Sequence, residues 1–106
     1  MRVMFLTSED RGIYSRMSSG VCDIKYGLVY DIRGSNKFTD LLEVVPVGED
    51  IMDSIKSAIG KYGYTVVAIG FFDEHFVKSV MSEGIDVFIA PDRKRISDII
   101  YIVGGG

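Results

Sequence analysis

Residues 65–90 constrain this chain more than any other stretch. They run TVVAIG (65–70), FFDEH (71–75), FVKSVMSEG (76–84) and IDVFIA (85–90). A continuous apolar run leads into a short turn carrying Asp73, then a helical pattern that stops at Gly84, then a second apolar run. Together they read as one βαβ unit. Neither run alternates with polar residues, which predicts strands of a parallel sheet covered on both faces. A right-handed crossover between them puts the turn 70–75 at the carboxyl end of the first strand. Open α/β sheets collect their ligands at that edge.

The rest of the chain supplies partners for this unit. Residues 2–6 form a short apolar run suited to a central strand, followed by the polar turn 7–12. Ile13 and Tyr14 can pair briefly, whereas residues 15–20 are loop material. Residues 24–32 have strand composition, with Tyr26, Leu28 and Tyr30 on one face and Val29 on the other; Gly27 marks a weak point or a bulge. A turn at 33–36 predicts a hairpin to a strand over 38–47, where Pro46 points to a sheet edge. Residues 49–59 place Ile51, Met52, Ile55, Ala58 and Ile59 at helical spacing, with Glu49, Asp50 and Asp53 in the first turn, where negative charge suits the helix dipole. Gly60 or Gly63 ends that helix. The pattern over 73–83 buries Phe76, Val77 and Val80. Residues 97–103 read as a short final helix, although their β-branched content equally suits a strand, and the glycines at 104–106 read as a frayed tail. The expected fold class is α/β, three layers, with a mixed sheet of about five strands and helices on both faces. Strands 2–6 and 65–70 should lie centrally, and Val66, Ala68, Val87, Ile89, Ile55, Ile59, Val77 and Val80 should form the core.

Composition narrows the function classes. A chain of 106 residues is one domain, too small for separate substrate and cofactor lobes. An apolar content of 47% argues against disorder. The net charge of −3, with basic residues scattered apart from Arg93, Lys94 and Arg95, leaves no footprint for nucleic acid. A lone cysteine, Cys22, excludes an internal disulfide. The first residues turn polar too soon for a signal peptide, and no apolar run approaches the roughly 20 residues of a membrane span. The expectation is a cytoplasmic chain with no membrane partner.

Three strings in order, KYGLVYD (25–31), VVAIG (66–70) and SEGIDV (82–87), resemble the dinitrogenase iron–molybdenum cofactor biosynthesis family, the small domains related to NifX and to the carboxyl-terminal region of NifB. The resemblance spans nearly the whole chain. It implies a ribonuclease-H-like α/β/α fold without nuclease activity, a non-enzymatic domain that binds or carries an iron–sulfur or iron–molybdenum cluster, with metallocluster donor or acceptor proteins as possible partners. Where the family carries His-Phe-Gly, this chain has Ser18, Ser19 and Gly20. Where the family is glycine-rich after the central strand, Gly70 is followed by Phe71, Phe72 and Asp73. The resemblance places cofactor contacts at these positions: Ser18, Ser19, Gly20, Gly70 and Asp73.

Chemistry adds two candidate metal ligands, Cys22 and His75. Thiolate and imidazole are the soft or borderline donors the chain offers besides methionine. Each has a plainer reading. Cysteine is among the most buried residue types, and His75 suits a solvated first helical turn beside Asp73 and Glu74. Asp73 is a helix N-cap before it is a ligand. Two protein ligands are few, so a bound cluster needs ligands of its own or a second subunit, as in a homodimer. Asp10, Asp31 and Asp40 raise a carboxylate-metal nuclease, which requires them to converge on one cation. No Gly-x-Gly-x-x-Gly motif, Walker-type loop or nucleophile elbow occurs. Two functions follow from these residues: metallocluster or metal carriage, and a structural or regulatory interaction module that has kept the fold and lost the ligand. An enzyme acting on a small anion at the Gly70 turn is a third reading, with no nucleophile or acid–base pair behind it.

Overall fold

A computed structural model of the chain describes residues 1–33, 38–63, 66–91 and 94–103. The sheet strands are β1 (Arg2–Thr7), β2 (Tyr26–Arg33), β3 (Phe38–Pro46), β4 (Val66–Ile69) and β5 (Asp86–Ile89). The helices are α1 (Ile51–Tyr62), α2 (Glu74–Met81) and α3 (Ile96–Val103), with one 3₁₀ turn at Val21–Asp23. Strand order is β3-β2-β1-β4-β5. β2 is antiparallel to both β1 and β3, while β1, β4 and β5 run parallel. α1 and α2 pack on one face of the sheet and α3 on the other. The result is the three-layer α/β arrangement expected from the sequence, in the strand order of a ribonuclease-H-like fold.

Two apolar layers hold it together. Met4 and Leu6 of β1 join Val67, Ile69, Ile55, Ala58, Phe76 and Val80 on the α1–α2 face. Val3 and Phe5 join Leu28, Tyr30, Ala68, Ile96 and Ile99 on the α3 face. Val3, Met4, Phe5 and Leu6 are all fully buried, as a central strand between helical layers requires. Ala68, Ile55 and Val80 are buried as expected. Val66, Val87, Ile89, Ile59 and Val77 are only half-buried and pack against the rims of the two layers. Val87 and Ile89 lie on β5, an outer strand of the sheet, which has a neighbour on one side only.

Local chemistry sets the helix ends. The Asp50 carboxylate accepts from the Asp53 amide at 3.1 Å, so α1 starts at Ile51 rather than 49. The helix continues through Gly60 and stops at Gly63, whose φ of 67° lets its amide close on the Ile59 carbonyl at 2.8 Å. The Asp73 carboxylate caps α2 through the Phe76 amide at 3.0 Å. Residues 96–103 are helical, resolving the ambiguity of their composition. β3 is an outer strand, consistent with Pro46. The register shift in the β2–β3 ladder lies between Val29 and Tyr30, not at Gly27. Leu41 is 43% exposed, while Lys61 Nζ and the Tyr62 hydroxyl at the end of α1 both donate to Glu43 of β3. The turn residues 34–36, Thr65, Arg93 and the glycines at 104–106 lie outside the described residues.

Candidate functional site

Because β1, β4 and β5 are parallel, the segments following Thr7, Ile69 and Ile89 all leave the sheet at one edge. Chain crossing that edge is held closely. A Cβ placed on Gly70 would stand 2.7 Å from Met17 Cβ and 2.9 Å from the Ser18 carbonyl oxygen, so only glycine lets the loop after β1 lie across the end of β4. Met17 therefore packs into the α3 layer, while Val21 and Ile24 pack into the α1–α2 layer. The loop straddles the sheet edge.

On the α1–α2 side the loop closes a pocket of 340 Å³, lined by Val21, the start of α1 (Asp50, Ile51, Met52) and the first turns of α2 (Asp73, His75, Phe76, Ser79). Both helices begin here because each follows a strand that ends at this edge. The floor is apolar and the charged atoms stand at the mouth. Asp50 and Asp73 each commit a carboxylate oxygen to capping their own helix. His75, exposed, sits in the first turn of α2.

The candidate residues divide accordingly. Asp73 and His75 line the pocket. Cys22 is exposed on the 3₁₀ turn, directly after the lining residue Val21. Gly70 lies beneath the loop and shapes its path rather than the pocket wall. Ser18 and Ser19 serve the loop itself: the Ser18 hydroxyl donates to the Asp23 carbonyl, and the Ser19 amide and hydroxyl both donate to the Asp23 carboxylate, each at 3.1 Å. Gly20 is the extended residue that opens the 3₁₀ turn. Sequence reasoning missed Val21, Asp50, Ile51, Met52, Phe76 and Ser79. The signal for Asp50 was present, since a capping Asp at the start of a helix that follows a strand leaving this edge must lie close to the crevice.

The three carboxylates of the nuclease reading do not converge. Asp31 and Asp40 are cross-strand partners at the opposite end of the sheet, both paired with Arg33, whereas Asp10 follows β1 at the pocket end. Asp10 instead lies near Tyr30, whose hydroxyl burial pushes up to about 12, with the Asp10 charge adding to the shift. Among the described residues no group of three or more His, Cys, Asp or Glu side chains is placed to hold a metal ion. Nor is any described helix long and apolar enough to cross a membrane.

The crystal structure of PH0822 has the same fold, with a TM-score of 0.76 and 29% sequence identity, covering 100% of this chain and 91% of that one. No family model matches the sequence, and no curated protein does.

Proposed function

We propose that this chain is a non-catalytic carrier of a metal or an iron–sulfur or iron–molybdenum type cluster, which it holds at the mouth of the edge pocket through His75 and Cys22. The observation that carries the reading is the meeting of the Val21–Asp23 turn with the start of α2. This brings the segments bearing the single thiol and the single imidazole to one crevice, with both residues exposed. The strand order and the resemblance noted above support it further. Two donors make a partial coordination set, suited to cargo that arrives with ligands of its own and leaves again. Of the cargoes allowed, the carboxylates at the mouth favour a cation over an anionic cluster.

Anaerobic reconstitution with iron and sulfide, followed by visible absorption and metal analysis, tests the reading. Cys22→Ala and His75→Ala should each weaken uptake while leaving the fold intact. Unchanged uptake in the double variant would remove both residues from the site. A second reading, an interaction module without cargo, is favoured by the apolar pocket floor and by the local use of Ser18 and Ser19.

A further inference from the structure

The loop that closes the pocket presents a different surface on the other side of the sheet. Residues 13–17 pair with 94–97 through the Ile96 amide to the Ser15 carbonyl, the Ser97 amide to the Ile13 carbonyl and the Met17 amide to the Lys94 carbonyl. Ser15 and Met17 point inward and are fully buried, so Tyr14 and Arg16 point outward, Tyr14 with 60% of its surface exposed. Arg16 and Arg95 stand opposite each other in an antiparallel bridge, and the Arg95 guanidinium donates to the Tyr14 carbonyl at 2.6 Å. Lys94 is exposed beside them. Like charges facing across a bridge repel. None of Arg16, Lys94 and Arg95 has a carboxylate ion-pair partner among the described residues; the Asp98 carboxylate accepts from the Arg95 backbone amide.

The pocket has the complementary character. Its floor of Val21, Ile51, Met52 and Phe76 is apolar, and Asp50 and Asp73 stand at its mouth. Glu49 and Asp53 adjoin them and are exposed, and none of these four acids has an ion-pair partner among the described residues. Phe72, 70% exposed, precedes Asp73. One surface is an exposed aromatic among unpaired cations, the other an apolar hollow among unpaired anions. Both lie at the carboxyl edge of the sheet, on opposite faces of it.

We propose that a second copy of this chain docks there, Tyr14 of each copy entering the pocket of the other with Arg16, Lys94 and Arg95 against its acidic mouth. A two-fold axis along the carboxyl edge, in the sheet plane and across the strands, brings the α3 side of one copy against the α1–α2 side of the other. Both contacts then form at once, as an isologous dimer requires. A tyrosine seated in an apolar pocket with arginine beside it is the composition of a binding hot spot. The proposal stands apart from the cargo reading: it needs neither Cys22 nor His75.

Sedimentation velocity on the full chain tests it. The unmodified chain should dimerise, less tightly as salt screens the charge contacts. Tyr14→Ala, at an exposed position, should weaken the dimer roughly tenfold or more with unchanged thermal unfolding of the monomer. Arg16→Glu alone, and Glu49→Lys with Asp53→Lys, should each give monomers. Mixing these two variants in equal amounts should restore a dimer, because one contact then joins two reversed charge sets and the other two native ones, both in the attractive sense. A chain that stays monomeric up to about 1 mM, the limit of weak association, overturns the proposal and leaves the pocket to a small molecule or another protein. Dimers that survive either charge reversal, or reversed variants that fail to re-associate when mixed, overturn it as well.

Discussion

The terminal methyl of Met4 occupies the space in which a Cβ on Gly27 would stand. The two residues are diagonal neighbours across the β1–β2 ladder, where Leu6 faces Gly27 and Met4 faces Val29. Both are buried, Met4 completely. Gly27 is thus neither a bulge nor a weak point; it is the gap that admits the Met4 side chain beneath α1 and α2. Gly27→Ala should destabilise the fold by about 1–3 kcal/mol through overpacking. Because the displaced atom is the end of a flexible chain, pairing the change with Met4→Val should recover part of the loss. A denaturant double-mutant cycle measures the coupling, and strictly additive effects would show that the two sites do not share this space.

Gly70 answers to backbone rather than to a side-chain tip. Its neighbours are Met17 Cβ and the Ser18 carbonyl, neither of which can swing aside without moving the loop. Gly70→Ala should therefore cost more than Gly27→Ala, and should also lift the loop that closes the pocket. Chemical denaturation gives the first comparison. Faster amide exchange at Ser18, whose N–H bonds the Leu6 carbonyl at 3.2 Å, reports the second. Exchange at Ser18 unchanged in the variant would mean that the loop tolerates the added methyl.

The contrast between these glycines shows what was legible in the sequence. The strands, the helix order and the capping role of Asp73 could be read from apolar runs, helical spacing and turn chemistry, because those signals are local, whereas Asp50 read as part of the first turn of α1 and proves to be its cap. The partner of Gly27 could not, since Met4 is 23 positions away and meets it only through strand pairing. Cys22 and Val21 illustrate the same limit: adjacent in sequence, one is exposed and the other lines the pocket. Half-burial of Val87 and Ile89 follows from β5 being an outer strand, a fact of strand order that their apolar run does not encode.

The α1–α2 layer should show graded costs. Ile55 is fully buried, while Ile59, one turn later, is half-buried at the rim of the same layer. Ile55→Ala should cost about 2–5 kcal/mol, and Ile59→Ala clearly less. Val80→Ala, fully buried on α2 but losing less volume, should fall between them. Equal midpoints for Ile55→Ala and Ile59→Ala would show that α1 is rotated relative to the sheet.

Alkaline stability should depend on Tyr30. Its hydroxyl is pushed up to about 12, first by burial and then by the Asp10 carboxylate, against about 10 for an ordinary phenol. A folded pKa above the unfolded one means the contribution is fully present below about pH 10 and is lost as pH rises through 12. Tyrosinate absorbance should show a late-ionising fraction to which Tyr30 contributes, beside Tyr62, whose hydrogen bond to the Glu43 carboxylate also pushes its hydroxyl up. Tyr30→Phe should shrink that late fraction and flatten the fall in stability between pH 10 and 12. A variant with the same alkaline profile as the unmodified chain would place the shift elsewhere.

Asp73 separates helix capping from pocket chemistry. One carboxylate oxygen accepts from the Phe76 amide, and the side chain also lines the pocket mouth beside His75. Asparagine keeps an oxygen for the cap but carries no charge, whereas alanine loses both. Asp73→Ala should therefore cost about 0.5–2 kcal/mol of stability, and Asp73→Asn little. If the mouth attracts a metal cation as proposed, both variants should bind ferrous ion more weakly under anaerobic conditions, because both remove the negative charge. Weaker binding in the alanine variant alone would mean that the residue acts only by holding the first turn of α2, and with it His75, in place. Equal binding in all three chains would take Asp73 out of the site and leave it as a cap.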